Sequence, residues 1–201
     1  MKAIVFDVGN VLIRWDARLV YRDDFATEAE IDTFLQKIGF DAWNLEQDRG
    51  RSWADGVAEA VARHPGHRAL IEKFHTHWHD AVPDAIAGSL EILERLYADG
   101  QPLYAITNFS AEKWVECQKR FPFLTNRFRD VVVSAHERLV KPDLAIFHLF
   151  LRRNGLPAQD CIFIDDSAKN VAAAQSVGMD AVIFTGPGAL DQALRQRGLP
   201  L

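Results

Sequence analysis

Five short apolar runs punctuate the chain: Ala3–Phe6, Pro102–Ile106, Val131–Val133, Cys161–Ile164 and Ala181–Phe184. They are continuous rather than alternating, the pattern of strands buried on both faces of a parallel sheet. Helix-spaced segments separate the later runs, at Ser89–Ala98, Ala111–Arg120, Leu144–Arg153 and Ala168–Val177. The first of these stops before Gly100 and the last before Gly178, residues suited to closing a helix. Strands alternating with helices constrain the chain to a doubly wound α/β layer structure.

Residues 16–80 break the alternation. They follow a single strand and contain no convincing second one. Their periodicity predicts helices at Ala17–Phe25, Ala29–Ile38, Asp41–Asp48, Trp53–Arg63 and His67–His79. Four of the five tryptophans, Trp15, Trp43, Trp53 and Trp78, lie in or at the edge of this stretch. The economical division is an α/β core of residues 1–15 and 81–201 with a helical module of residues 16–80 inserted after the first strand. Such a module would sit over the carboxyl ends of the strands, where open α/β sheets bind ligands.

Composition narrows the function class. A net charge of −5 and a pI near 5.8 give no basic footprint for nucleic acid, so a small molecule is the expected partner. No run of about 18 apolar residues is present, so no membrane span is expected. The first residues read as a strand rather than as a signal peptide. The two cysteines, Cys117 and Cys161, have no metal spacing and read as reduced thiols of a cytoplasmic protein. Oligomeric state is not encoded in any of these features.

Polar residues gather where the apolar runs end. Asp7 closes the first, and Gly9 permits an unusual turn just after it. Taken alone, Asp7 also fits a simple turn former. Asp165 and Asp166 close the fourth run side by side. Adjacent carboxylates at the mouth of a sheet repel unless a cation or hydrogen bonds compensate. Hard oxygen donors of this kind favour magnesium. Helix capping by Asp166 or Ser167 would account for one acid but not both. Thr107 and Asn108 close the second run ahead of a helix, an arrangement that presents a hydroxyl and backbone N–H groups to an anion. Lys141 precedes Pro142 and the next helix, from where its ammonium can reach an anion or a carboxylate.

In order, these residues supply a nucleophile, a hydroxyl, a lysine and an acid pair, each at a strand end or at the start of the following helix. The chain thereby resembles the haloacid dehalogenase superfamily of hydrolases over essentially its whole length. Asp7-Val8-Gly9-Asn10-Val11, Thr107-Asn108, Lys141-Pro142 and Asp165-Asp166 match its four motifs, and the helical insertion matches the family's first cap class, that of subfamily IA. The similarity is greatest to a subgroup with an Asp-x-Gly-Asn-Val start that includes sugar-phosphate phosphatases such as α-glucose-1-phosphate phosphatase.

The resemblance implies that Asp7 attacks phosphorus and forms an aspartyl-phosphate that water then hydrolyses. It implies Mg²⁺ held by Asp7, the Gly9 backbone carbonyl and Asp166, with Asp165 binding directly or through water. Thr107, the Asn108 backbone amide and Lys141 would hold the phosphate oxygens, and Asn170 would orient Asp166. Lys141 would also hold Asp7 and the acid pair in place. One part is missing. Most phosphatases of this superfamily carry a second aspartate two residues after the nucleophile, which protonates the leaving oxygen and later activates water. Here that position is Gly9, so the general acid and base is unassigned. Asp16 is a candidate surrogate, although capping the first inserted helix is its simpler role.

Trp43, Asp48 and Arg49 lie where caps of this class face substrate, and cap motion would gate access. His75 and His79 share a face if Phe74–His79 is helical, a spacing able to bind zinc, but no third ligand accompanies them. The expected activity is therefore hydrolysis of a small phosphorylated metabolite, a sugar phosphate in the first instance. Two other readings compete: a metal-independent 2-haloacid dehalogenase, for which the acid pair has no use, and a catalytically weakened binding or regulatory member, which Gly9 keeps open.

Overall fold

The computed structural model describes residues 1–199. Five strands, β1 (Ala3–Phe6), β2 (Leu103–Thr107), β3 (Asp130–Val133), β4 (Cys161–Asp165) and β5 (Asp180–Ile183), form one parallel sheet in the order β3-β2-β1-β4-β5. Each lies within one or two residues of its apolar run. Both faces of the sheet are covered. Ile4, Phe6, Ala105 and Ile164 point to one side, while Ala3, Val5, Ile106 and Phe163 point to the other. Side chains alternate across a strand, so burial on two faces demands the unbroken apolar runs of the sequence.

The chain leaves β1 to build one half of the sheet and returns beside β1 to build the other. The reversal puts a crevice at the carboxyl ends of β1, β2 and β4. Phe6 pairs with both Ala105 and Ile164, and the Asp7 amide donates to the Ile164 carbonyl at 2.8 Å, so the strand ends are nearly level.

Eleven α-helices accompany the sheet among the described residues. Four precede β2 in the inserted region: α1 (Glu28–Lys37), α2 (Phe40–Asp48), α3 (Trp53–Arg63) and α4 (Arg68–Thr76). The others are α5 (Ala87–Ala98), α6 (Ala111–Arg120), α7 (Phe123–Asn126), α8 (Ser134–Glu137), α9 (Leu144–Asn154), α10 (Ala168–Ser176) and α11 (Pro187–Gln196). Helices α9 and α10 cover the face of Val5 and Phe163. Helices α5, α6 and α11 share the opposite layer with the inserted helices, in one continuous apolar cluster. Sequence periodicity does not register α7 and α8, each a single turn, or α11. No helix among the described residues is long and apolar enough to cross a membrane.

Two of the inserted helices differ from expectation. Ala17–Phe25 shortens to a 3₁₀ turn at Ala17–Tyr21, capped by Asp16, whose carboxylate accepts from the Arg18 amide at 3.0 Å and from its guanidinium. His67–His79 splits at His77 into α4 and a 3₁₀ turn at Trp78–Ala81. Cations from α6 satisfy the carbonyls exposed by that break. Lys113 Nζ donates to the His75 carbonyl at 3.1 Å, and Arg120 donates to the carbonyls of His79 and Val82 at 3.1 and 2.6 Å. His79 is thus off the helix that carries His75. The His75 ring instead stacks on Trp53 with centroids 5.4 Å apart.

Candidate active site

Asp7 follows β1, Asp165 ends β4, and Lys141 lies ahead of α9; all three side chains are buried. The Lys141 ammonium sits 2.8 Å from Asp7 Oδ1 and 2.7 Å from Asp165 Oδ2. Burial alone would lower the lysine pKa, but the two carboxylates outweigh it and raise it, so the ammonium stays charged. Burial pushes the Asp7 carboxyl up to about 7, against the pull of Lys141. Both protein contacts to Asp7, from Lys141 and from the Val8 amide at 2.7 Å, fall on Oδ1. Its Oδ2 accepts no bond from the described residues.

Asp165 is saturated. Its Oδ1 accepts from the Ser167 amide at 2.8 Å and from Asn170 at 3.0 Å; its Oδ2 accepts from Lys141 and again from Asn170 at 3.0 Å. These contacts occupy the carboxylate's available lone-pair positions. Asn170 therefore orients Asp165, not Asp166 as its place in the sequence implied. Asp166 is exposed and faces the cavity. Burial, and then the charge of Asp165, raises its pKa.

Oxygens of Asp7, Asp165 and Asp166 lie within 4.8 Å of one another. Three carboxylates against one lysine leave an excess of negative charge, and the donors are hard oxygens. This set fits a small divalent cation, whose neighbouring ligands in an octahedron stand ~3 Å apart.

The second strand end adds a side-chain contact to the expected backbone one. Asn108 clasps the neighbouring loop: its Nδ2 donates to the Lys141 carbonyl at 3.0 Å, and its Oδ1 accepts from the Lys141 amide at 2.8 Å. That clasp fixes the backbone from which Lys141 reaches the carboxylates. The Thr107 hydroxyl is buried and finds no hydrogen-bond partner among the described residues, an orphan that a ligand oxygen would satisfy. Ser110 stands at the N-cap of α6, yet its hydroxyl caps nothing, because it accepts from Trp53 Nε1 at 2.9 Å.

Above these groups lies a cavity of about 220 Å³. Its floor holds Asp7, Gly9, Lys141 and Asp166, and its wall carries Asn44, Asp48 and the indoles of Trp15, Trp53 and Trp78. Of the three inserted residues expected to face substrate, Asp48 alone lines it. Trp43 is buried among Phe40, Trp53 and Phe74 and donates from Nε1 to the Gly56 carbonyl at 2.7 Å. Arg49 is exposed beside Glu46. Consecutive helical positions diverge by about 100°, so Asp48 and Arg49 cannot share a wall. Burial, and then the charge of Asp7, pushes Asp48 up to about 7. The tryptophan wall and Asn44 carried no separate signal in the sequence, since indoles at helical spacing look the same in a core and in a cavity.

Gly9 also departs from its expected role. The left-handed residue of this turn is Asn10, at φ +55°, and not Gly9. A Cβ built on Gly9 would meet nothing within 4 Å.

Comparison with known proteins places this geometry in a family. The chain is 28% identical over 198 residues to a sesquiterpene phosphatase of Aspergillus oryzae, covering 97% of this chain and 95% of that protein. It is 28% identical over 199 residues to a drimenol cyclase of Aspergillus calidoustus; the match takes in 92% of this chain but only 34% of that relative, so the chain spans about a third of its length. A HAD-family enzyme of Bacteroides thetaiotaomicron, solved as a magnesium complex, has the same fold, with a TM-score of 0.78 at 20% identity over 97% of this chain and 98% of that one. The model of the haloacid dehalogenase-like hydrolases matches residues 21–184, and the chain belongs to that family of enzymes.

Proposed function

We propose that this hydrolase is a Mg²⁺-dependent phosphatase of small phosphomonoesters that works through an aspartyl-phosphate on Asp7. The observation that carries the reading is the acid pair at the end of β4, set against Asp7 and Lys141. A carboxylate substrate, as in dehalogenation, would gain nothing from two more anions. An anionic phosphate approaching Asp7 requires a cation between them. Asp7, the Gly9 carbonyl and Asp166 would hold it, and the saturation of Asp165 supports contact through water. When bound, Mg²⁺ offsets the repulsion between carboxylate and phosphate.

The free Oδ2 of Asp7 attacks phosphorus while Lys141 holds the other oxygen and the charge. Lys141 and the Thr107 hydroxyl serve the phosphoryl oxygens, with Asn108 fixing the lysine loop. Residues 16–80 serve as the cap that closes the cavity and keeps water from the reacting atoms. The buried thiols of Cys117 and Cys161 support a cytoplasmic setting.

For the substrate, a sugar phosphate such as a glycosyl 1-phosphate suits a site with no acid at position 9, because its leaving group needs protonation least. A second class also fits. Trp15, Trp53, Trp78, Phe109, Ile13 and Val82 give the cavity apolar surface alongside polar residues such as Asn44 and Ser110, and the sesquiterpene phosphatase relative is named for an isoprenoid substrate. A panel of sugar phosphates and short prenyl monophosphates, assayed with Mg²⁺ and with chelator, tests both. Turnover that needs Mg²⁺ and disappears in Asp7→Asn supports the phosphatase. Halide release from 2-haloacids without metal, or equal turnover by Asp7→Asn, overturns it.

A further inference from the structure

Outside the group formed by Asp7, Asp165 and Asp166, one further carboxyl among the described residues reaches the cavity, that of Asp48. It is the last residue of α2, and its place is fixed from the core. Ser134 Oγ donates to the Asp48 carbonyl at 2.6 Å and accepts from the Phe109 amide at 2.9 Å. The α2 terminus is thereby tied to the loop after β2. The Asp48 carboxyl takes no hydrogen bond or ion pair from the described residues, whereas Asp7 and Asp165 beside it are held by several. A half-buried carboxyl without a protein partner is a standing cost unless a ligand or water completes it.

Position 9 supplies the complementary observation. Its backbone does not require glycine, and space for a side chain is open there. The acid absent from position 9 is therefore a chemical vacancy rather than a demand of the turn, and Asp48, from the inserted helices, lines the same cavity as Gly9.

We infer that Asp48 is the general acid and base of this enzyme, serving from the inserted helices the role that Gly9 cannot. The inference rests on the phosphatase reading. In the first half-reaction Asp7 Oδ2 bonds to phosphorus, the bond from phosphorus to the leaving oxygen breaks, and the Asp48 proton passes to that oxygen. In the second, water attacks phosphorus and gives a proton to the Asp48 carboxylate. The phosphorus–Asp7 bond breaks, and both residues return to their starting forms. Of the charged groups facing Asp48, Asp7 at the end of β1 favours its protonated form and Lys141 ahead of α9 opposes it.

The test compares two esters, p-nitrophenyl phosphate, whose leaving group departs without a proton, and butyl phosphate, whose leaving group does not. Asp48→Asn preserves shape and the Ser134 bond to the backbone, and circular dichroism checks its fold. For butyl phosphate kcat/KM is expected to fall by about 10²–10⁴-fold, while for p-nitrophenyl phosphate it stays within about tenfold. A burst of p-nitrophenolate should accompany the slowed second half-reaction. Adding Gly9→Asp to Asp48→Asn should restore butyl phosphate turnover, an effect that a merely structural role would not give. Equal fractional losses on the two esters, or no loss on either, overturn the inference. Wild-type protein inert toward both would instead remove the phosphatase reading beneath it.

Discussion

At the strand ends, polar groups satisfy one another. Lys141 bridges Asp7 and Asp165, Asn170 and the Ser167 amide complete Asp165, and Asn108 secures the lysine loop. The inserted helices are held by rings instead. Phe74 stands at the centre, with Tyr21, Phe40, Trp43 and Trp53 at centroid distances of 6.1, 4.8, 6.0 and 5.8 Å. One region is specified by charge and direction, the other by volume. A charge network tolerates almost no change, because each removal strands a buried ion. Packed rings tolerate some change if volume is kept.

The cavity lies between the two, and directed bonds join them beyond those that Lys113 and Arg120 make to the carbonyls of His75 and His79. Trp53 makes two, from Nε1 to Ser110 and from its amide to Glu112, both at 2.9 Å. Ser134 reaches Asp48, and Lys113 lies 5.8 Å from the ring centroids of both Trp53 and Trp78. The inserted helices also share an apolar cluster with α5 and α6, so opening of the cavity has to work against that contact.

The largest effect that can break this contrast is chemical. Asp7→Asn should remove turnover by a factor on the order of 10⁴ or more, read as steady-state kcat with a fold check by circular dichroism. Chelation should do the same reversibly. Next comes the network itself. Lys141→Met leaves two carboxylates without their cation and should cost about 3–5 kcal/mol of stability. Thermal denaturation would register that as a fall in Tm of about 6–20 °C. A variant as stable as the parent would show that the strand ends do not depend on this ion network.

The ring-packed region should respond by volume. Trp53→Ala should cost about 3–5 kcal/mol, as a large cavity opens in the core. Trp53→Phe retains most of the ring and should cost far less, about 1 kcal/mol of it for the lost bond to Ser110. Similar losses for both, measured by urea denaturation, would show that the bond and not the packing docks the helices. The smallest effect concerns the thiols. Burial pushes Cys117 up to about 12 and Cys161 up to about 11. Both should therefore remain protonated and unmodified by iodoacetamide at pH 8 while the protein is folded, as mass spectrometry would show.

Much of the strand-end region was legible residue by residue. Apolar runs located the strands within one or two positions, and Asp7, Asp165, Asp166 and Lys141 were marked by where those runs stop. Asn170 was singled out one acid away from its partner, because one helical turn brings it near both. The wall of the cavity was not legible in the same way. Trp43 and Trp53 are both buried tryptophans in adjacent helices, yet only Trp53 reaches the cavity. Nothing in local spacing separates them. The break at His77 was hidden as well, since the cations that satisfy its carbonyls come from α6, more than thirty residues later.

What the sequence determined by itself is the parallel α/β sheet and the polar residues at its edge. Two-face burial forces unbroken apolar runs, and a run has to end where the chain leaves the sheet. Only the tertiary structure decided which carboxyl is saturated, which of Trp43, Asp48 and Arg49 faces the cavity, and that Gly9 is not demanded by its turn. Those outcomes depend on distances between segments far apart in the chain, set by how the inserted helices pack, and no local period carries that information.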